Sequence, residues 1–292
     1  MGVSPRRLEP VNKITEYFNL IWGGRFIFME VEWSRLKAHQ IRELAEQQTV
    51  VILPIAAIEQ HGPHLPVMVD SRLVAEVGRL SAIESSKSGQ PTLVLPTIWH
   101  GLSEHHMEFG GTVTLDTTTF HMVIRGVIES VSRNGFTKFL ILNGHGGNIS
   151  ASEIIAQDIT LELGLPIVAA TYWLEAEERF SKILTAQHNV LHACEAETSM
   201  MMSLEPELVD TRDLASCKGS SDLSFIKAGR SAYRWRSLSH VTSNGVIGDP
   251  TYASKEKGNE LLKAASLSVS ELIINQDTFD FQQDLRTNAE PK

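Results

Sequence analysis

Four uninterrupted runs of apolar residues constrain the fold of this 292-residue chain more than any other feature of its sequence. Each run is short and ends at a proline or a polar residue, which is the pattern of a strand buried on both faces. Helical periods separate the runs, so strand and helix alternate. The alternation predicts an α/β fold, a three-layer α/β/α sandwich with a mainly parallel central sheet and a ligand site beyond the carboxyl ends of its strands. The runs lie within residues 49–54, 91–96, 138–142 and 166–170.

Two of the predicted helices have clear start signals. Apolar residues recur at helical spacing over 120–131, and Asp116 stands where an N-cap residue accepts a backbone hydrogen bond. A second helix is predicted to begin at Ser150, because Ser150 and Glu153 have the spacing of a capping box. Each of these helices connects two predicted strands, as a parallel sheet requires.

The chain consists of one large predicted domain and two flanking segments. Residues 29–276 are predicted to form a single domain, with an N-terminal arm over 1–28 before it and a polar tail over 277–292 after it. An amphipathic helix over 254–275 closes the domain. The polar stretch over 203–250 is too long for a passive connection, and we interpret it as a loop that covers the site or contacts another subunit.

The composition argues against several classes of partner and compartment. Asp and Glu number 35 against 26 Lys and Arg, so the formal net charge of −9 offers no positive field for nucleic acid or anionic membranes. The apolar stretch over 14–29 is interrupted by glycines and charges and is too short to span a bilayer. Because Cys194 and Cys217 are the only cysteines, no disulfide framework is expected, and we predict a cytoplasmic protein.

Residues that suit a divalent metal site follow the first predicted strand. Glu59, His61 and His64 occur in the run EQHGPHLP, and Asp70 lies a few residues further on. Carboxylates and imidazoles are ligands of divalent ions, and one carboxylate can bridge two of them. The alternative is that Asp70 only caps the helix that continues over 73–80, while the histidines are polar groups of a loop.

The sequence NGHGGN follows the third predicted strand and occupies residues 143–148. It holds His145 among three glycines at the carboxyl end of a strand, where small residues let a ligand approach the backbone. We predict that His145 is a metal ligand, against the alternative of a flexible strand–helix loop. The pattern is neither GxGxxG nor GxxxxGK[ST], so it is not a nucleotide-binding motif.

A third cluster lies at the start of a later predicted helix. His192 stands at the helix entrance, and Glu195 and Glu197 fall in its first turn. One of the two glutamates is expected to be a surface charge, while the other completes a site with the first two clusters. The alternative is a solvated helix start whose acidic residues are favoured by the helix dipole.

Together these motifs resemble, in order and spacing, the creatininase family of metal-dependent amidohydrolases. The resemblance covers residues 33–272 and includes the segments 101–112 and 245–250. It implies an α/β/α fold with a short parallel sheet, assembly into homo-oligomers that are often hexamers, and hydrolysis of C–N bonds in small cyclic or linear amides. It also implies two divalent ions per subunit, Zn or Mn, with Fe as a further candidate.

The resemblance implies metal-binding roles for five residues. Glu59, Asp70 and His145 match the ligands of one ion, while His61 and a bridging Asp70 match part of the second site. A glutamate completes the second site in creatininase, but Gly147 replaces it here, and we predict that the glutamate at position 197 takes its place. The alternative is a weak second site.

Three residues are predicted to bind substrate: Trp173, His105 and Gly146. Trp173 matches a tryptophan that lines the site of creatininase. His188 stands where the enzyme that opens creatinine has a second tryptophan, which closes over its substrate. This difference argues against creatinine as the substrate of this chain.

The predicted reaction is hydrolysis of a C–N bond in a small cyclic amide or a related molecule by a hydroxide shared between metal ions. His192 matches the proton-transferring histidine of the family and is predicted to pass a proton to the departing nitrogen, assisted by Glu195. One alternative is a family member that binds metal and ligand without turnover. Another is a hydrolase of a different small substrate, such as a formamide or a keto-inositol-type ring. Phosphate esters are disfavoured because Lys and Arg are not concentrated near the motifs.

Overall fold

The computed structural model describes most of the chain, namely residues 20–22, 25–27, 30–220 and 233–280. The chain divides into two units, Met1–Glu30 and Val31–Lys292. In the first unit, strand β1 (Leu20–Trp22) pairs antiparallel with strand β2 (Arg25–Ile27). The rest of the predicted arm over 1–28 lies outside the described residues.

A parallel sheet forms the centre of the second unit, and each of its strands comes from one of the predicted apolar runs. The order is β4-β3-β5-β6, and all neighbouring pairs are parallel, which agrees with the prediction. In the register, Val50 lies beside both Thr92 and Lys138, and Phe139 lies beside Ile167. The strands are β3 (Val50–Ile55), β4 (Thr92–Val94), β5 (Lys138–Asn143) and β6 (Ile167–Thr171).

Helices cover both faces of this sheet. Alternate residues of β3 point to opposite faces, so Val51 and Leu53 pack with α3 and α4, whereas Val50 and Ile52 pack with α2 and α8. The two apolar cores give the predicted three-layer α/β/α arrangement. The helices of the second unit in the described ranges are α1 (Ala38–Ala45), α2 (Val69–Lys87), α3 (Thr117–Ser132), α4 (Ile149–Leu163), α5 (Tyr172–Glu175), α6 (Glu177–Ile183), α7 (Glu195–Leu204) and α8 (Lys255–Ile274).

Two helices begin with side-chain caps, of which that of Asp116 was predicted. The side chain of Asp116 accepts a hydrogen bond from the backbone N of Thr119 at 2.9 Å at the start of α3. At the start of α8, the side chain of Ser254 accepts from the backbone N of Lys257 at 3.2 Å. Each bond satisfies a backbone donor that the first turn of a helix leaves without a partner.

Helix α4 begins differently from its prediction. Its first residue is Ile149, and the N-cap residue Asn148 makes no side-chain cap, so the predicted capping box of Ser150 and Glu153 is wrong. The physical reason is that residues 146–148 form a 3-10 turn that runs directly into the helix and moves its start upstream. The side chain of the N-cap residue binds elsewhere, to backbone groups of Ala56 and Leu102.

The packed domain continues past its predicted end at residue 276. Gln276–Phe279 forms a 3-10 turn, and Phe279 is buried in the core beside α8. The tail beyond 280 and residues 221–232 of the polar loop lie outside the described residues. In the part of the chain that the structure describes, no helix has the length and apolar character needed to cross a bilayer.

Two serine substitutions test these helix starts. Ser254→Ala removes the acceptor for the backbone N–H of Lys257, so we expect the free energy of unfolding to fall by about 1 kcal/mol. Ser150→Ala should leave it nearly unchanged, because Ser150 is exposed within α4. Urea unfolding measures both values, and equal losses would show that the sequence-based cap at Ser150 forms after all.

Candidate active site

The predicted clusters meet at the carboxyl end of the sheet. The chain leaves β3, carries Glu59 and His61 through a short loop, and enters α2, whose first turn holds Asp70. It leaves β5 and reaches His145 two residues later. Because β3 and β5 are parallel neighbours, both loops emerge at the same edge, where α/β proteins place their ligand sites.

Asp70 lies between two imidazoles. Its Oδ2 is 2.9 Å from Nδ1 of His145, and its Oδ1 is 3.2 Å from Nε2 of His61. All three side chains are buried. The N-cap of α2 is Met68, so the alternative in which Asp70 only caps this helix is wrong. One oxygen directed to each of two groups is the arrangement of a bridging carboxylate in a two-metal site.

Two further carboxylates extend the cluster on either side of Asp70. Oε2 of Glu59 is 3.2 Å from Nδ1 of His145. Oε1 of Glu197 is 3.9 Å from Nε2 of His61, and the ligand atoms of His61, Asp70 and Glu197 all lie within 4.8 Å of one another. The structure therefore brings together the five residues predicted as metal ligands.

Three polar atoms of this cluster are buried and have no hydrogen-bond partner among the described residues: Glu59 Oε2, His61 Nε2 and Asp70 Oδ2. Buried polar atoms in proteins almost always have a partner. Carboxylate oxygens and an imidazole nitrogen that converge in this way are the donor set of a divalent cation such as Zn or Mn. The residues present therefore fit the metal centre that the resemblance implies.

Burial and charge determine the protonation of the cluster. Burial acts to raise the pKa of Asp70, but the charge of His61 and the close approach of both imidazoles hold it well below its usual value. Burial acts to lower the pKa of His145, but Glu59 and Asp70 raise it to about 10. In the metal-free chain, protons on the imidazoles therefore balance the carboxylates. Divalent cations can replace these protons and neutralise the carboxylates, because metal binding releases protons from the ligands.

A second hydrogen bond orients each of these imidazoles. Nδ1 of His61 lies 3.0 Å from the backbone O of Glu59, which leaves Nε2 facing Asp70. Nε2 of His145 lies 3.2 Å from both Oγ of Ser103 and the backbone O of Leu102. Such outer bonds set the tautomer of a metal-binding histidine and the direction of its free nitrogen.

Two adjacent histidines from the 3-10 turn Glu104–Phe109 border the cluster. The ring of His105 stacks on that of His145 with centroids 5.6 Å apart, and burial together with His145 lowers the pKa of His105 to about 3. Nε2 of His106 is 3.2 Å from Oε1 of Glu59. The sequence analysis selected His105 and missed His106, although a second imidazole beside the first was a visible signal.

His192 reaches the cluster from the loop before α7. Its Nδ1 is 3.6 Å from Oε1 of Glu59, and its Nε2 is 2.9 Å from the backbone O of Gln60. Backbone hydrogen bonds in both directions with Ile247 hold this part of the loop. Burial and the neighbouring charge of His61 lower the pKa of His192 well below its usual value, so the ring is neutral.

The two glutamates of α7 are both buried, so the expectation that one of them is a surface charge is wrong. The reason is that α7 packs against α2 and α8, which the local sequence does not reveal. Glu197 faces His61, as described above. The alternative of a solvated helix start is therefore excluded for both Glu195 and Glu197.

The carboxylate of Glu195 is held by a different set of groups. It accepts hydrogen bonds from the backbone N atoms of Thr185 at 3.0 Å and Ala186 at 2.7 Å, and it pairs with Nζ of Lys257 at 2.5 Å. These bonds tie the loop before α7 to the start of α8. They favour a structural role for Glu195 over the predicted assistance of His192.

Trp173 and Gly146, which were also predicted to bind substrate, differ in their surroundings. Trp173 is buried edge-on against Tyr172, with ring centroids 5.0 Å apart. Burial and the carboxylates of Glu197 and Asp70 raise the pKa of Tyr172 well above its usual value, so a protonated hydroxyl lies near the ligand cluster. Sequence analysis missed this tyrosine. Gly146 is exposed, and a Cβ there would meet no atom within 4 Å.

Comparison with known proteins identifies the family. The model described as "Creatininase: Creatinine amidohydrolase" matches residues 34–273. The chain belongs to the creatininase family. The resemblance of the sequence motifs is thereby confirmed over most of the chain.

Creatininase-family relatives of this chain have names that differ in substrate. The chain is 28% identical over 233 residues to the mycofactocin precursor peptide peptidase of Mycolicibacterium smegmatis. This match covers 78% of this chain and 85% of that protein. It is 29% identical over 260 residues to the 3-dehydro-scyllo-inosose hydrolase of Thermotoga maritima, covering 80% and 79%. It is 24% identical over 267 residues to the creatinine amidohydrolase of Pseudomonas putida, covering 84% and 94%.

Solved structures of creatininase share the fold. The crystal structure of a creatinine amidohydrolase matches with a TM-score of 0.70 and 24% identity, covering 83% of this chain and 96% of that one. A creatininase described as a Mn form matches with a TM-score of 0.68 and 22% identity, covering 84% and 98%. A variant described as a Zn–Zn type matches with a TM-score of 0.69 and 23% identity, covering 84% and 97%. The α/β/α fold is thus confirmed.

Gly147 marks a departure from creatininase that the structure explains. A Cβ at Gly147 would lie 2.2 Å from the backbone O of Leu102, 2.5 Å from Nε2 of His145 and 2.9 Å from Cε1 of His105. These distances leave no space for a side chain at this position. Glu197 brings a carboxylate to the cluster from α7 instead.

Alanine substitutions at the two neighbouring glycines should differ in their effects on stability and metal content. Gly147→Ala forces Leu102 or His145 to move, so we expect the free energy of unfolding to fall by about 1–3 kcal/mol and the metal content to drop. Gly146→Ala should leave the free energy of unfolding and the metal content unchanged, because its Cβ points into open space. Thermal unfolding and elemental analysis test the pair, and a stable, metal-replete Gly147→Ala protein would contradict the packing argument.

Proposed function

We propose that this chain is an amidohydrolase that holds two divalent ions, Zn or Mn, and hydrolyses a C–N bond of a small amide. The observation that carries the proposal is the position of Asp70, which directs one oxygen to His145 and the other to His61. Membership of a family named for an amidohydrolase supports the reaction class. The Mn and Zn–Zn forms among the solved structures with this fold support the choice of metal.

In this proposal the ligands form two sets that share Asp70. Glu59 and His145 complete one set, and His61 and Glu197 complete the other. When bound, divalent ions act as Lewis acids toward a carbonyl and supply hydroxide at neutral pH. The contribution of the chain is to hold carboxylates and imidazoles in a dry pocket, with the outer nitrogen of each imidazole fixed by a hydrogen bond.

His192 is the proposed proton carrier. Its neutral ring can take a proton on Nδ1, the nitrogen that faces Glu59, while Nε2 stays bound to the backbone O of Gln60. The same nitrogen can then deliver the proton to the departing amine, as a general acid does in C–N cleavage. Glu195 contributes indirectly in this scheme, because its bonds to Thr185 and Ala186 fix the loop that leads to His192.

The proposed substrate is a small amide other than creatinine. The side chain of His188 is exposed and stands where the creatinine-opening enzyme has a closing tryptophan. Gly146, next to His145, is exposed and has open space beside it, which makes it a candidate contact for the substrate. We also propose that the chain forms a homo-oligomer and is located in the cytoplasm, as predicted from its sequence.

Metal removal tests the proposed function. The purified chain should contain about two ions, and dialysis against a chelator should abolish hydrolysis of lactams, cyclic ureas, formamides and short peptides in a common panel. Adding Zn or Mn should restore the same activity, whereas Mg should not replace them fully. Full activity in a protein verified to be metal-free would contradict the proposal.

The two glutamates of α7 supply a matched pair of variants. Glu197→Gln should lower the metal content from about two ions per chain toward one, because it weakens one ligand set. Glu195→Gln should keep both ions but reduce the free energy of unfolding by about 3 kcal/mol, because it breaks the buried pair with Lys257. Elemental analysis and urea unfolding separate the two effects, and the reverse pattern would exchange the roles of the two residues.

A further inference from the structure

The carboxamide of Gln60 is buried where several segments of the site meet. Its Oε1 accepts a hydrogen bond from the backbone N of Gly62 at 2.9 Å, and its Nε2 donates to the backbone O of Gly245 at 3.1 Å. Because one backbone group donates and the other accepts, the two ends of the carboxamide cannot be exchanged. Gly245 has a φ of +78°, and a Cβ there would lie 2.0 Å from Oε1, so glycine is needed beside this side chain.

The orientation of Gln60 determines the tautomer of His106. The second hydrogen on Nε2 of Gln60 points to Nδ1 of His106 at 2.8 Å. An imidazole nitrogen that accepts a hydrogen bond carries no proton, so His106 in its neutral form holds the proton on Nε2. That nitrogen lies 3.2 Å from Oε1 of Glu59 and donates to it. Glu59 is thereby left with Oε2 facing His145.

A third contact of the carboxamide is consistent with this assignment. Nε2 of Gln60 also lies 3.0 Å from Nε2 of His192, but both of its hydrogens already have acceptors. Nε2 of His192 lies 2.9 Å from the backbone O of Gln60, which can only accept. His192 therefore donates to that oxygen, which leaves Nδ1 of His106 as the acceptor for the second hydrogen on Nε2 of Gln60.

We propose that Gln60 is a positioning residue for the metal centre, which acts through His106. It holds His106 in the Nε2–H tautomer, and that N–H turns the carboxylate of Glu59 so that Oε2 faces the cluster. The consequence for metal binding rests on the proposed function. The tautomer of His106 is a property of the chain alone and can be measured without substrate.

NMR of the full-length protein labelled with 15N-histidine, before and after addition of Zn, tests the proposal, with the His106 signal identified by its loss in His106→Asn. We expect the Nε2–H tautomer in the unmodified chain. In Gln60→Glu a carboxylate accepts where the amide donated, so a proton should appear on Nδ1. In Gln60→Met the donor is lost and both tautomers should appear. Zn affinity, measured by competition with a chelating dye, should fall about 10- to 100-fold in both variants.

Thr112→Val is the matched control. Oγ1 of Thr112 accepts from the backbone N of Gln60 at 3.1 Å, so this variant loosens the same loop without changing the carboxamide. It should keep the Nε2–H tautomer and the Zn affinity. Equal effects in Thr112→Val and Gln60→Met would overturn the proposal in favour of general loop packing.

Two further NMR results would overturn the proposal. An Nδ1–H tautomer of His106 in the unmodified chain overturns it, and this spectrum is decisive even where a variant does not fold. An unchanged tautomer in Gln60→Glu overturns it as well. A chain that shows the expected tautomers but hydrolyses nothing and binds no metal would contradict the proposed function and leave the hydrogen-bond assignment intact.

Discussion

Three carboxylates that share one buried space impose the main constraint on this structure. Glu59, Asp70 and Glu197 are buried, where like charges repel and a charge loses most of its hydration. In the metal-free chain, His61 and His145 offset this cost as protonated imidazoles. Divalent cations offset it more completely, because each brings two positive charges and displaces protons from the same atoms.

The fold meets this constraint with packed helices and strands. Asp70 and Glu197 lie in the first turns of α2 and α7, where the partial positive charge of a helix N-terminus favours a carboxylate. Both helices pack on α8, and the buried pair of Glu195 and Lys257 fixes α7 to the start of that helix. Glu59 and the neighbouring imidazoles follow directly from parallel strands. Stability and ligand placement therefore depend on the same packing.

Sequence analysis succeeded where the signal was local. The strands were predictable because burial on both faces requires continuous apolar runs. Four residues of the buried cluster, Glu59, His61, Asp70 and His145, lay in compact motifs that follow two of these strands. It failed where tertiary contacts decide the outcome. The capping box predicted at Ser150 does not form, because a 3-10 turn runs into α4 and moves its start upstream. Glu195 is buried by helices that are distant in sequence. Gln60 and His106 act through hydrogen bonds across 46 residues, which no periodicity records.

The structure leaves no space for a side chain at Gly147 and brings the carboxylate of Glu197 to the cluster from α7. With the carboxylate supplied by α7, the loop after β5 needs no side chain at Gly147, and His105 and Leu102 occupy the space beside His145. Gly146 remains open on the same loop. The cluster is thus held by packed helices and strands, whereas Gly146 in the loop after β5 is exposed. A fold organised in this way can change substrate through short segments without disturbing its buried charges, which fits a family whose members are named for different substrates.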